Sequence, residues 1–390
     1  MDVTGEEIMN ELTAGRKDFI ELPDVLNGVK TPAEWCGHRR EEIRKMIEKY
    51  LFGKIPPRPE RSFCETTRTT DVFGGIGIRR DITLHFRNGD REHTAKVLWY
   101  LPKEGADIPL IAGLNFKGNA GCTDEPDVEL EPGEERGVQA HRWQIPMILS
   151  KGFSLIVSPR NHFFPDREDG RKESIFKLWN EDRDLTPEAR EYTAISAWAW
   201  GYSALLDLAE TDPRIDRKRF WIHGHSRLGK TALWCAANDP RIAGVVSNDS
   251  GCCGASISRN KLDSAEHFKE IRKNFPYWFV REFDPFVGHE NDFPLDMHFL
   301  TALAAPRPLL ISSATEDLWS DPFNEYRNAK AVSAVYRLFG AEGIPDSAVF
   351  PGPDQGIFGD KVAYCLRAGI HDVTAKDWEF VLKFIERESK

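Results

Sequence analysis

The segment GHSRLGKT, residues 224–231, offers two kinds of chemistry at once. Gly224, Gly229, Lys230 and Thr231 fit G-x-x-x-x-G-K-[ST], a loop whose backbone amides cradle phosphates. Ser226 stands two residues after Gly224 and directly behind the apolar run Phe220-Trp221-Ile222, where a nucleophilic serine is presented on a strand-to-helix turn. A phosphate loop needs a magnesium-binding aspartate at the end of another apolar strand, and IAGVVSND supplies Asp249. A serine nucleophile needs more: an imidazole to take its proton and a carboxylate to hold that ring in the right tautomer. Asp317, closing PRPLLISSATED, and His371, in the turn RAGIHDVTAKDW before the last helical stretch, follow the serine in the order acid, then histidine. The nucleophile reading therefore accounts for more of the chain. It carries one departure from the ordinary G-x-S-x-G elbow, because Leu228 occupies the second glycine's place and Gly229 comes one residue later.

These residues need elements to position them. From Thr31 to Leu51 a capping threonine, a proline in the first turn and apolar residues at helical spacing predict a helix. IRRDITLHFR and HTAKVLWYLP predict two strands paired antiparallel across Asn88-Gly89-Asp90. Short apolar strands then alternate with helices: IPLIAGLNF, FSLIVSPR, RFWIHG, IAGVVSND and PRPLLISSATED, with EYTAISAWAWGYSALLDLAE before the serine and KTALWCAAND after it. Such alternation predicts an α/β fold, a mostly parallel, doubly wound sheet with helices on both faces in a three-layer αβα sandwich. In such sheets ligands bind beyond the carboxyl ends of the strands. The residues to inspect are therefore Asn115-Phe116-Lys117, Arg160-Asn161-His162, Ser226-Arg227, Asp249 and Glu316-Asp317. The stretch 118–137 reads as a long surface loop, solvated for most of its length, that could frame a cleft. One catalytic domain over 31–390, preceded by an N-terminal extension over 1–30, is expected.

The chain has 390 residues, 41% apolar and 29% charged, and a formal net charge of -10. Acidity of this size argues against a nucleic-acid or anionic-membrane partner, which would call for a basic footprint. No stretch approaches a membrane span, and Glu6, Glu7 and Glu11 stand where a signal peptide needs a basic start. As it stands the sequence reads as cytoplasmic, and as secreted or periplasmic if a leader was trimmed. Seven scattered cysteines without a C-x-x-C pair suggest neither a zinc site nor a disulfide framework.

GHSRLGK closely resembles the G-C-S-R-x-G-K signature of glucuronoyl esterases, carbohydrate esterase family fifteen, with His225 in place of the usual cysteine. The resemblance continues through NDSGCCGASISR, FPYWF, FPLDMH and LAAPRPLLISSATEDLWSDP, and runs from about Leu22 to the C-terminal helix. It implies an α/β-hydrolase that cleaves the ester between a (4-O-methyl-)glucuronate of xylan and a lignin-type alcohol, with no cofactor and no metal. It further implies Ser226 as nucleophile, His371 as base and then acid, Arg227 as oxyanion stabiliser, and Lys230 and Trp319 as sugar contacts. Chemically, Arg227 offers a permanent cation where charge develops, and Trp319 offers a flat apolar face to a pyranose.

The resemblance leaves the acid open between two strand ends. Asp317 is assigned to the triad and Asp249 is the alternative; with both present, either single loss would be survivable. Glu266, in SAEHF, lies where the family places a polar residue that reads the sugar hydroxyls, although the segment by itself reads as a surface-helix glutamate. His298 reads as a structural histidine rather than a pocket residue. A uronate ester, free or on an oligosaccharide, is the expected partner, and the protein is expected to be a monomer. The alternatives are an acetyl esterase of the same fold, a phosphate-loop nucleotide binder, and a carbohydrate-binding relative without turnover.

Overall fold

Six parallel strands form the middle of the sheet, and Ser226, Asp249, Asp317 and His371 each follow the end of one of them within a few residues. The computed structural model describes residues 5–17, 20–182 and 191–388. The expected N-terminal extension therefore falls partly outside the described residues, at 1–4, 18 and 19.

The ten strands are β1 (Arg61–Val72), β2 (Gly77–Asn88), β3 (Arg91–Pro102), β4 (Ile108–Asn115), β5 (Ser154–Pro159), β6 (Ile215–His225), β7 (Ile242–Asn248), β8 (Leu309–Ala314), β9 (Gln355–Phe358) and β10 (Val362–Arg367). Their order is β1-β2-β3-β5-β4-β6-β7-β8-β10-β9. From β5 through β10 in that order neighbours run parallel, while β1 to β3 and β9 flank them antiparallel. β5, β8 and β10 are buried at every residue, so they read as unbroken apolar runs rather than alternations. β2 and β3 pair Asn88 with Arg91 across a two-residue turn in which Gly89 has φ +55°, a conformation glycine adopts without penalty.

Six helices of eight residues or more accompany the sheet: α1 (Gly5–Thr13), α2 (Arg40–Ile47), α3 (Ala194–Ala209), α4 (Arg227–Asn238), α5 (Pro322–Leu338) and α6 (Ala375–Glu388). Alternate strand residues feed two cores: Ile156 joins the larger one with α3, α4 and α5, while Leu155 and Val157 join the smaller one with α6. Two separate cores on one sheet make the three layers of an α/β-hydrolase. α3 starts at a Thr193 capping box and buries all but two of its residues, which is why its sequence is apolar nearly all round. Thr31 and Glu34 form the cap expected at the first long helix, which continues through α2 with a π-helical segment on each side.

Three strands lie outside the predicted set. β1 is exposed along most of both faces and lacks apolar alternation, whereas β9 is short and β10 is a six-residue apolar run. The segment before Thr31 is held to the body: Arg16 pairs with Asp321 at 2.8 Å, and Val25 and Val29 enter the core. All seven cysteines are free. Among the described residues, no helix is long and apolar enough to cross a membrane.

Candidate active site

The strand order β5-β4-β6-β7-β8-β10 sets Arg160, Phe116, Ser226, Asp249, Asp317 and His371 in a row along one end of the sheet. This is the carboxyl end of the parallel strands, where an α/β sheet places its ligands.

Ser226 occupies the turn between β6 and α4 with φ 57° and ψ -129°. This backbone is unfavourable for a residue with a Cβ and costs about 1–3 kcal/mol, held in place by the packing around it. Its N–H donates to Asn248 O at 2.8 Å, tying the turn to the end of β7. A Cβ on Gly224 would lie 2.0 Å from Leu228 O, and one on Gly229 would lie 2.8 Å from Ser250 Cβ. Leu228 itself is fully buried in the larger core. The tight places of this turn are thus 224 and 229, and the side chain at 228 points into the core, which explains the displaced glycine. The phosphate-loop reading does not survive this geometry. The Lys230 ammonium is buried and donates to Ser250 O instead of facing an open amide cradle.

His371 lies in the loop between β10 and α6, with its side chain 40% exposed. Its Nδ1 is 2.6 Å from Asp317 Oδ2, so that nitrogen carries the proton and donates it to the carboxylate, leaving Nε2 free. The ring packs on that of His225, the residue before Ser226, with centroids 4.5 Å apart. Among the described residues no hydrogen bond joins the Ser226 hydroxyl to His371. Burial, then His371 and Arg142, hold the His225 imidazole well below its ordinary pKa, which favours its neutral form beside the His371 ring. Arg367 anchors the loop. Its guanidinium donates to the carbonyls of Ala368, Ile370 and Asp372 and pairs with Asp377 at 2.7 Å.

Asp249 sits between these groups but plays a different electrostatic part. It is 1% exposed, neither carboxyl oxygen has a hydrogen-bond partner, and the Arg367 guanidinium and the neutral His225 ring each come no nearer than 3.9 Å. Burial first, then Asp317, Glu325 and Asp377, push its carboxyl well above the usual range. Asp317, which accepts from His371, is therefore the acid placed to orient it, whereas burial and the neighbouring carboxyls favour the protonated form of Asp249. Asp249, Asp317 and His371 are also the one group among the described residues whose ligand atoms, within 4.8 Å of one another, could share a cation.

These buried acids fix a pH dependence. Asp249, Asp377 and Glu325, the last pushed up to about 7 chiefly by burial, keep protons in the folded state that the unfolded chain releases near pH 4. Their contribution to stability is complete below that pH and is lost as pH rises through their folded values. The thermal midpoint should accordingly fall between about pH 5 and 8. Asp249→Asn should flatten the fall, and an unchanged slope in that variant, measured by circular dichroism, would refute the assignment.

Arg227 is held away from random solvation. It donates to Asp166, and its guanidinium lies 4.8 Å from the Phe275 ring centroid and 4.6 Å from that of Trp278, two rings stacked 3.8 Å apart. Asp166 also accepts from Arg160 at 2.7 Å, Tyr277 at 2.8 Å and Trp278 at 3.0 Å. Although burial opposes it, Arg160 and Arg227 hold the Asp166 carboxyl below its ordinary range. Asp166 escapes the sequence reading because FFPDRED carries no motif; only its meeting with Arg227 and Tyr277 reveals it, whereas Arg160 was already marked as a strand-end residue. As the first residue of α4, Arg227 also presents a backbone N–H without an intrahelical acceptor.

On the other side of Ser226, Lys230, Glu266 and Trp319 come together. Trp319 is 48% exposed and thus no core tryptophan. Glu266 corrects the surface-helix reading: it is 7% exposed, precedes the nearest helix, and its N–H donates to Trp319 O at 2.9 Å. Burial raises its carboxyl, opposed by Lys230, Lys261 and the Trp319 side chain. His298 lies elsewhere, buried, with Nε2 donating to Pro23 O at 3.0 Å.

Residues 143–340 match the family model for fungal glucuronyl esterases. The chain is 34% identical over 388 residues to carbohydrate esterase MZ0003 of an unknown prokaryote, covering 94% of this chain and 89% of that one. It is 35% identical to 4-O-methyl-glucuronoyl methylesterase 1 of Wolfiporia cocos, over 83% of this chain and 73% of the relative. A glucuronoyl esterase from Solibacter usitatus superposes with a TM-score of 0.88 at 35% identity, covering 95% of this chain and 99% of that one. A promiscuous CE15 esterase from a marine bacterial metagenome gives 0.86 at 34%, covering 95% and 97%. Likeness at this level, sustained in sequence and structure over nearly the whole chain, makes the protein a member of the glucuronoyl esterase family, carboxylic ester hydrolases of the α/β-hydrolase fold.

Proposed function

We propose that the protein cleaves esters of the glucuronate carboxyl group, as carried by (4-O-methyl-)glucuronoxylan, from lignin-type alcohols, with Ser226, His371 and Asp317 as its triad. The observation that carries this reading is the 2.6 Å pairing of His371 Nδ1 with Asp317, beside a serine on a strained turn in the same row of strand ends. His371 Nε2 takes the Ser226 proton as Oγ attacks the ester carbonyl. The Arg227 backbone N–H and guanidinium face the oxyanion. The alcohol leaves with the proton from His371, and water repeats the attack on the glucuronoyl-enzyme. Lys230, Glu266 and the exposed Trp319 ring supply a cation, a carboxyl and an apolar plate, the chemistry a uronate sugar requires.

The test is hydrolysis of benzyl glucuronate against an acetyl ester of xylose. A kcat/KM clearly favouring glucuronate supports the reading, and preference for the acetyl ester replaces it with the acetyl-esterase alternative. On benzyl glucuronate, Arg227→Ala is expected to lower kcat by roughly 10²–10³-fold with a smaller change in KM. Arg227→Lys should not restore it, since an ammonium cannot hold the planar stack and fork. Full activity in Arg227→Lys would remove the oxyanion role.

A further inference from the structure

Trp319 and Glu266 both hang from one buried carboxylate. Trp319 stands two residues before Asp321, which caps α5 from a left-handed backbone at φ 57°. Glu266 follows Leu262 by four residues, and the Leu262 N–H donates to Asp321 Oδ2 at 3.1 Å. Because the Glu266 N–H also donates to Trp319 O at 2.9 Å, the segments 262–266 and 319–321 are joined at both ends into a closed frame. Whatever fixes Asp321 therefore fixes the spacing between the Glu266 carboxyl and the Trp319 ring.

Asp321 is fully buried, and the cation that meets it comes from far away in the sequence. Arg16, just beyond α1, donates from Nη1 to Oδ1 and from Nη2 to Oδ2, each at 2.8 Å. The same guanidinium donates to Asn324 Oδ1 at 2.8 Å and to Asn260 O at 3.0 Å, so three segments converge on it. It is itself held by Leu12 O in the last turn of α1 at 3.0 Å, and lies 5.1 Å from the Phe323 ring centroid. Arg327 closes the junction from α5, donating to Asn260 Oδ1 at 2.9 Å, to Asn324 Oδ1 at 2.8 Å and to Lys17 O. The segment before Thr31 thus reaches the sugar side of the site through Arg16.

The triad has separate supports. The Asp317 N–H donates to Ala314 O at the end of β8 at 3.2 Å, Ser320 Oγ donates to Asp249 O at 3.4 Å between Asp317 and Asp321, and Arg367 holds the His371 loop. Resting on the glucuronate reading above, we propose that Arg16 is a positioning residue for the sugar side, holding Trp319 and Glu266 at the separation a glucuronate ring requires, and that it sets KM for uronate esters without taking part in the chemistry. A planar fork satisfies both carboxylate oxygens, an amide oxygen and a carbonyl at once, which an ammonium cannot do. Slack of about 1 Å in such a supporting shell weakens a site whose groups are all present.

The experiment measures kcat and KM separately on benzyl glucuronate for Arg16→Ala, Arg16→Lys and Val25→Ala, each shown by circular dichroism to be folded at the assay temperature. Arg16→Ala is expected to raise KM roughly tenfold with kcat within about twofold of wild type. Arg16→Lys keeps a charge opposite Asp321, carries the test should the alanine variant fail to fold, and is expected to raise KM roughly threefold. Val25→Ala loosens the same segment where it enters the core, and should lower the thermal midpoint while leaving KM unchanged. Millimolar guanidinium can occupy the space vacated in Arg16→Ala and should bring its KM back down, whereas a general loss of stability would only be worsened by that denaturant. An unchanged KM in both Arg16 variants, a fall in kcat as large as the rise in KM, an equal rise in Val25→Ala, or a KM that guanidinium does not lower would overturn the inference and leave the glucuronate reading standing. No turnover of benzyl glucuronate by the wild-type protein would overturn that reading and the inference with it.

Discussion

Ser226→Ala is expected to lower kcat on benzyl glucuronate by ~10⁴-fold or more while the protein remains folded. The loss is large because proton transfer and attack act as one unit, and neither proceeds without Oγ. What survives is the contribution of oxyanion donors and binding. Stability should barely change, because alanine inherits the same φ of 57°. Ser226→Gly should raise the thermal midpoint instead, since glycine adopts that backbone without strain. Steady-state kinetics with melting curves for both variants would decide the matter. Appreciable turnover by folded Ser226→Ala would end the serine mechanism.

Asp317→Asn should cost about as much, roughly 10⁴-fold in kcat, with Asp249→Asn within about threefold of wild type. The asymmetry follows from geometry and charge. Asp317 accepts the His371 Nδ1 proton at 2.6 Å, and an amide turned toward that nitrogen favours the tautomer whose Nε2 already carries a proton. Asp249 makes no hydrogen bond through either oxygen, and burial beside Asp317 favours its neutral form, so asparagine changes little there. The expectation that either acid could cover the loss of the other thus gives way to unequal roles. Comparable losses in the two single variants would restore the shared role.

The strands β4 to β8 were legible because burial on both faces makes each an apolar run that ends in polar residues. The same rule exposes Ser226, Asp249 and Asp317 at those ends. β1 was not legible, since a solvated edge strand such as RSFCETTRTTDV has no face to hide and shows no alternation. Glu266 was misread by its neighbours: SAEHF is polar at both ends, and its burial arises from Trp319, 53 residues later. Asp166 gave no local signal because its partners come from three separate segments. The displaced glycine of the elbow was visible as an anomaly, and its meaning required seeing that Gly229, rather than residue 228, touches Ser250.

Arg367 bears on how this protein would fail at high pH. The loop that carries His371 is stapled through three main-chain oxygens to the Arg367 guanidinium, which offers them only donors. Inactivation would begin beneath it, as Asp249 and Asp377 beside Arg367, and Glu325 beyond Asp249, ionise and the excess negative charge loosens the packing from within. The base would be mislaid before it was chemically altered, and a return to lower pH would put it back.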